Sequence, residues 1–297
     1  MVVGVGIALA LAVAVLTGVR TVLTRMGARQ TDEYVSAWAV RAFGLPILFV
    51  AILYDGIPKV TGNVILLVLI SGVLGVVATV VSMRSFMISD ASLVSPLASL
   101  SPAVVLLTEP LLTGDFATPV GAAGVLLTVA GAYFLENNED TTLLEPFVRL
   151  AKNRGVQFMI VVVLIHSITS PIDSLGVDAS TAVFWSFSLH IVLTAILFPL
   201  MLVKTNGWRT SVAQNWRPLI SLGLFSGLSS VLQMVALTET LVVYVTGIKR
   251  LSIPIGVVLV HLVFDDEENF RGRIVGSLIM VVGILFIALA DQGILSL

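Results

Sequence analysis

Runs of predominantly apolar residues, each about 20 long and so able to cross a bilayer core of about 30 Å, recur along nearly all of this 297-residue chain. They read as ten membrane-spanning helices, near residues 2–24, 34–54, 62–83, 91–112, 118–136, 156–174, 180–203, 217–238, 241–264 and 271–290. The expected fold class is therefore all-α integral membrane. Composition agrees: 11% of residues are charged, against about 25% in ordinary globular proteins, and the mean hydropathy is +1.06. Lys and Arg are scattered at the ends of the apolar runs, so no basic patch is available to grip nucleic acid. The absence of cysteine excludes disulfides and thiolate metal sites. The first run lacks a basic leader and an Ala-x-Ala cleavage site, and is expected to be a first span rather than a signal peptide.

A polar linker, residues 137–155, divides the chain, and its stretch from Leu143 to Arg154 reads either as an amphipathic surface helix or as a solvated connector. Helix-breaking residues recur on its two sides at one spacing. Pro102, Gly124 and Gly131 correspond to Pro254, Gly276 and Gly283, each 152 positions later, and Gly75 corresponds to Gly227. The spacing predicts two five-helix repeats, residues 1–136 and 156–297. Five spans per repeat put the second unit into the membrane from the opposite face. Such inverted pairs are a recurring plan of secondary transporters, with the site near the midplane between the halves.

These features resemble the drug/metabolite transporter superfamily, EamA type. The local match is Ile248-Lys-Arg-Leu-Ser-Ile-Pro-Ile-Gly256, then a Phe-acidic turn and Gly272-Arg-Ile-Val-Gly276 with Gly283. The first half has a similar ending, Ala91-Ser-Leu-Val-Ser-Pro-Leu-Ala-Ser-Leu-Ser-Pro102 followed by Gly121 and Gly131. Arg41 stands in the second span, where such proteins often carry an Arg. The resemblance implies a ten-helix transporter of small solutes and identifies no substrate. The first span departs from the distantly related small multidrug exporters, because it has no acidic residue. Proton-coupled export of a cationic drug by that route is not expected.

Charge inside the spans points to the candidate site. Lys249 lies eight residues into the ninth span, about 12 Å deep and close to the midplane, and Arg250 follows it. A cation there costs about 2.5 to 3.5 kcal/mol unless partnered. Glu109 and Asp173 are candidate counter-charges, and Thr246 stands one turn before both cations. Arg41 and Trp38 share a face and are expected to stack. Ser95 and Ser99, with Pro96 and Pro102, form a hydroxyl-bearing stripe that either lines the site or joins helices. His166 and Asp173, seven residues apart in the sixth span, are a candidate proton relay. His190 and Trp185 lie in the seventh. The three histidines form no metal-binding spacing and no phosphate-binding loop occurs, so no metal, cofactor or enzymatic activity is expected.

Lys and Arg concentrate after the odd-numbered spans, at Arg25, Arg84, Lys152, Lys204 and Arg271 among others, and only Lys59 follows an even-numbered one. The positive-inside rule then puts both termini outside a cell membrane, whereas the resembled family usually has them inside. The expected function is alternating-access transport, inward or outward, of a small metabolite bearing an anionic group. A lipid-linked-sugar flippase component or a non-transport membrane scaffold is the alternative.

Overall fold

The computed structural model describes residues 4–27, 31–136, 148, 152–264 and 270–293. Most of the polar linker, with its expected surface helix, lies outside the described residues. Elsewhere the chain is helical: α1 (Val5–Gly27), α2 (Glu33–Ala42), α3 (Leu45–Asp55), α4 (Gly62–Ile88), α5 (Ala91–Ala98), α6 (Ser101–Leu112), α7 (Pro119–Glu136), α8 (Arg154–Asp178), α9 (Ala182–Lys204), α10 (Trp208–Gln214), α11 (Trp216–Leu237), α12 (Val242–Lys249), α13 (Ser252–Phe264) and α14 (Phe270–Asp291). Among the described residues, 8 helical stretches are long and apolar enough to cross a membrane. Two shorter apolar helices, Pro119–Leu135 and Val275–Asp291, join them. Leu53, Leu107, Leu111 and Leu262 are more than half exposed on the outer surface, as a lipid-facing flank requires.

Three of the apolar stretches are broken where the sequence analysis had single helices. The stretch Glu33–Asp55 divides between α2 and α3 at Phe43-Gly44, with Pro46 in the first turn of α3. Leu93–Leu112 divides at Ser99-Leu100, and Val242–Val263 at Arg250-Leu251. Proline is the physical cause. It has no N–H to give the carbonyl four residues back, so Pro102 frees the Ala98 oxygen, and the Arg250 oxygen, denied a donor by Pro254, takes the Ile253 N–H at 2.9 Å instead. The chain tightens there, with Leu100 N–H donating to Leu97 O at 3.1 Å and Leu251 N–H to Ile248 O at 3.0 Å.

The glycines that carry the 152-residue spacing bring two helices, one from each side of the linker, to backbone contact. A Cβ on Gly131 would stand 2.6 Å from the Gly276 oxygen, and one on Gly124 would stand 2.6 Å from the Gly283 oxygen. Helices α7 and α14 therefore run antiparallel at backbone contact, which only glycine permits. Other contacts come in matching sets: α4 with α8 and α11 with α1, then α6 with α8 and α13 with α1.

Glu109, a candidate counter-charge by sequence, has a different role. It is 2% exposed, and its two carboxylate oxygens accept the Val242 and Val243 N–H groups at 2.7 and 2.9 Å. Those donors are orphans at the start of α12, where the helix dipole also favours a negative charge. Glu109 thus anchors α12 to α6.

Two stability predictions follow from this packing. Gly131→Leu should lower the melting temperature in detergent, by overpacking worth about 1–3 kcal/mol, whereas Gly62→Ala, with nothing within 4 Å of its Cβ, should leave it unchanged. Glu109→Ala should cost a further measurable drop, about 1–3 kcal/mol for each buried N–H left without an acceptor, read by the same thermal assay.

Candidate functional site

The broken helices bring their charged side chains to the interior of the bundle. Lys249 ends α12 and Arg250 follows it at the break, both half-buried. The Lys249 ammonium donates to Gln233 Oε1 of α11 at 2.6 Å. The Arg250 guanidinium donates through Nη2 to the Ala98 carbonyl at 2.8 Å. That is the oxygen released by Pro102, so the break in one helix supplies the acceptor for a cation at the break in the other. Ala98 and Arg250 are also 152 positions apart, the spacing of the glycine and proline pairs.

The charges of Arg20 on α1, Arg41 on α2, Asp173 on α8 and Arg250 at the break all act on Lys249, and those of Lys249, Arg250 and Arg41 act on His166 of α8. These groups form one interacting charged cluster, in which cations outnumber the carboxylate. Asp173 is held by hydrogen bonds. Its Oδ1 accepts the Ser71 hydroxyl at 2.6 Å and the Trp185 indole N–H at 3.1 Å. Trp185 is fully buried and reaches this position because Gly176 leaves room, a Cβ there standing 2.1 Å from the indole ring.

Several residues chosen from sequence sit differently. Trp38 packs its ring on Phe43 and Phe198, and Arg41 is not among its ring contacts within the described residues. An aromatic cluster beside the α2–α3 break takes the place of the expected stack. The Ser99 hydroxyl is buried and donates to Pro96 O at 2.6 Å, so it serves the break and not the charged interior. Ser95 is half-buried on the preceding turn. Thr246 donates to Val243 O of its own helix at 3.1 Å. His166 and Asp173 share α8 but form no hydrogen bond to each other within the described residues. His166 is exposed, while Asp173 points to Ser71 and Trp185. His190 is buried, its Nδ1 is 2.9 Å from Ser186 O, and its Nε2 has no partner. Among the described residues no cluster of His, Asp and Glu could hold a metal ion.

Arg20 was missed from sequence. It stands four residues before the end of the first apolar stretch, Val5–Thr24, where an Arg reads as interfacial. A groove lies apart from the charged cluster, lined by Ala42, Leu45, Pro46, Phe49, Phe187 and Ile191. Its lining is entirely apolar, and Phe49 is half exposed, so the groove belongs to the flank of the bundle.

A solved crystal structure of a protein is similar to this one over 97% of this chain and 98% of its own, with a TM-score of 0.77 at 15% identity, which shows the fold. None of the curated proteins matches. Residues 4–136, covering α1 to α7, match the sequence profile of the EamA-like transporter family. That first half of the chain is thus similar to the EamA-like transporters of the drug/metabolite transporter superfamily, and the chain is a multi-pass integral membrane protein.

Proposed function

We propose that this transporter moves a small organic metabolite bearing an anionic group, by alternating access at a midplane site between two inverted five-helix repeats. The observation that carries the reading is the pair Lys249 and Arg250 at the α12–α13 break. Both are half-buried within the bundle; Lys249 donates to the neutral Gln233 Oε1 and Arg250 to Ala98 O. A neutral acceptor such as Gln233 orients the Lys249 ammonium without cancelling its charge. An anion entering between α5–α6 and α12–α13 gains that charge in a medium of low dielectric constant, where it acts most strongly. The antiparallel contact of α7 with α14 and the matching contact sets support the inverted repeat. The Lys and Arg distribution supports termini outside the cell membrane.

The apolar groove beside Phe49 and Phe187 favours one alternative, a lipid-linked anionic substrate with its tail on the flank. Exchange of a water-soluble anion by purified protein would exclude it.

Reconstituted in liposomes, the protein should take up organic anions, and Lys249→Ala and Arg250→Ala should each reduce uptake by about tenfold or more, the value of 1.4 kcal/mol of lost binding. Arg217→Ala should have no effect, because Arg217 is exposed beside the Trp216 ring. Transport of cations alone, undiminished in the Lys249 and Arg250 variants, would refute the anion site. For topology, a reporter fused after Leu297 and active only outside the cytoplasm should give signal. A signal from a cytoplasm-only reporter at that point would reverse the assigned orientation.

A further inference from the structure

Asp173 is an ionisable group inside the span Arg154–Asp178, and the anion reading gives it no task. Ionisable side chains within spans are costly, and they mark ion, proton or substrate paths. The two oxygens of this half-buried carboxylate are unequal. Oδ1 accepts the Ser71 hydroxyl of α4 at 2.6 Å and the Trp185 indole N–H of α9 at 3.1 Å. Two donors occupy both lone pairs of that oxygen. Oδ2 accepts no hydrogen bond and forms no ion pair among the described residues, and it is not sealed from solvent. Asp173 thus presents one fixed oxygen and one open oxygen.

The surroundings limit what Oδ2 can take. A metal cation needs several oxygen ligands. Ser71 and Trp185 turn hydrogens toward the carboxylate, and among the described residues no cluster of His, Asp and Glu could hold a metal ion. A proton needs only one lone pair. Other titratable groups on the helices packed against α8 are engaged or distant. Glu109 of α6 is spent on Val242 and Val243, His190 of α9 meets Ser186 O through Nδ1, and Tyr244 of α12 meets Thr118. Arg84, Lys204 and Arg217 stand toward the far ends of α4, α9 and α11, and His166 and Asp178 of α8 are exposed. Lys249 of α12 and Arg41 of α2 are the cations whose charge acts on Asp173.

The same hydrogen bonds turn a proton into a change of packing. They tie α8, which follows the linker, to α4, which precedes it, and to α9. Bonds to an ionised acceptor are about twice as strong as neutral ones. Pro171, two residues before Asp173, has no N–H for the Ser167 carbonyl, which accepts from Thr108 of α6 instead. Helix α8 therefore lacks one of its own hydrogen bonds beside the carboxylate. We propose that Asp173 is a proton-binding site that couples proton movement to the transport cycle. On one leg a hydronium ion gives its proton to Oδ2 and leaves a water; on the other leg a water takes the proton back. Protonation neutralises the carboxylate, weakens both bonds to Oδ1 and loosens α8 from α4 and α9. This rests on the transport reading above and not on the charge of the substrate.

The test needs no substrate. In the purified full chain in liposomes, Trp38→Phe, Trp208→Phe and Trp216→Phe leave Trp185 as the single indole. Its emission should shift in one single-proton step as the pH is lowered, because its N–H donates to Asp173. Asp173→Asn should abolish the step, and Ser71→Ala, which keeps the carboxylate, should retain it. Infrared difference spectra of the chain with all its tryptophans give the same reading: a protonated-carboxyl band that grows on acidification and is missing in Asp173→Asn. Hydrogen exchange of the α4 amides around Ser71 reads the packing. It should rise about tenfold on acidification, the difference between a charged and a neutral hydrogen bond, and in Asp173→Asn it should be raised already at neutral pH. A flat Trp185 signal while the chain stays folded, a step or band that survives Asp173→Asn, or equal α4 exchange in Asp173→Asn and wild type at neutral pH overturns the proposal. The transport reading stands in each of those cases, because anion uptake tests it separately.

Discussion

A cation inside a bilayer must find an oxygen, and this fold supplies oxygens by breaking its own helices. An intact helix keeps every carbonyl for the N–H four residues on. Pro102 cancels one such donor, and the Ala98 oxygen it releases takes the Arg250 guanidinium at 2.8 Å. The same rule operates elsewhere. Pro171 stands inside α8 and frees the Ser167 carbonyl, which accepts the Thr108 hydroxyl at 2.6 Å. Glu109 serves the opposite need, giving two acceptors to the donors exposed where α12 begins.

The 152-residue spacing gives these contacts a common geometry. Under a two-fold relation, a residue that meets its own counterpart lies on the axis, and Arg250 meeting Ala98 is such a pair. The glycine contacts behave as the same relation demands. Gly124 meets Gly283 and Gly131 meets Gly276, and shifting the first pair by the repeat spacing produces the second. In the repeat we propose, the axis passes through the α5–α6 and α12–α13 breaks and between α7 and α14. The rigid glycine seam and the charged break are then aligned on one line.

Much of this was legible in the chain. The apolar runs, Pro102 and Pro254 and the paired glycines are local signals, and the folded protein shows them as helices, helix breaks and close helix contacts. What the sequence hid was partnership across the fold. Glu109 meets Val242 and Val243 over more than a hundred residues, and no spacing rule connects a carboxylate to a distant helix start. Ser99 looked like a lining hydroxyl because a stripe of serines on a helix shows its face and not its rotamer. Trp38 and Arg41 share a turn, but the ring found Phe43 and Phe198. The break between α2 and α3 was readable at Gly44-Leu45-Pro46, where glycine and proline stand together. The partial burial of Arg20 was not, because a cation near the end of an apolar run has the same sequence signature whether it is exposed to headgroups or packed against other helices.

Charge does not follow the proposed symmetry. The counterpart of Lys249 is Leu97, and that of Arg250 is Ala98. Thr21, beside Arg20, corresponds to Asp173, so the first repeat contributes a cation near the place where the second contributes a carboxylate. Alternating access between inverted repeats exchanges the conformations of the two halves while the charges remain with their residues. A symmetric cavity would hold an anion equally well in either orientation. In the anion site we propose, Asp173 stands on α8 and Lys249 and Arg250 at the α12–α13 break, with no matching charges at Thr21, Leu97 and Ala98. A substrate turned end for end in that site would meet a different field, so the asymmetry of charge would favour one orientation of the anion.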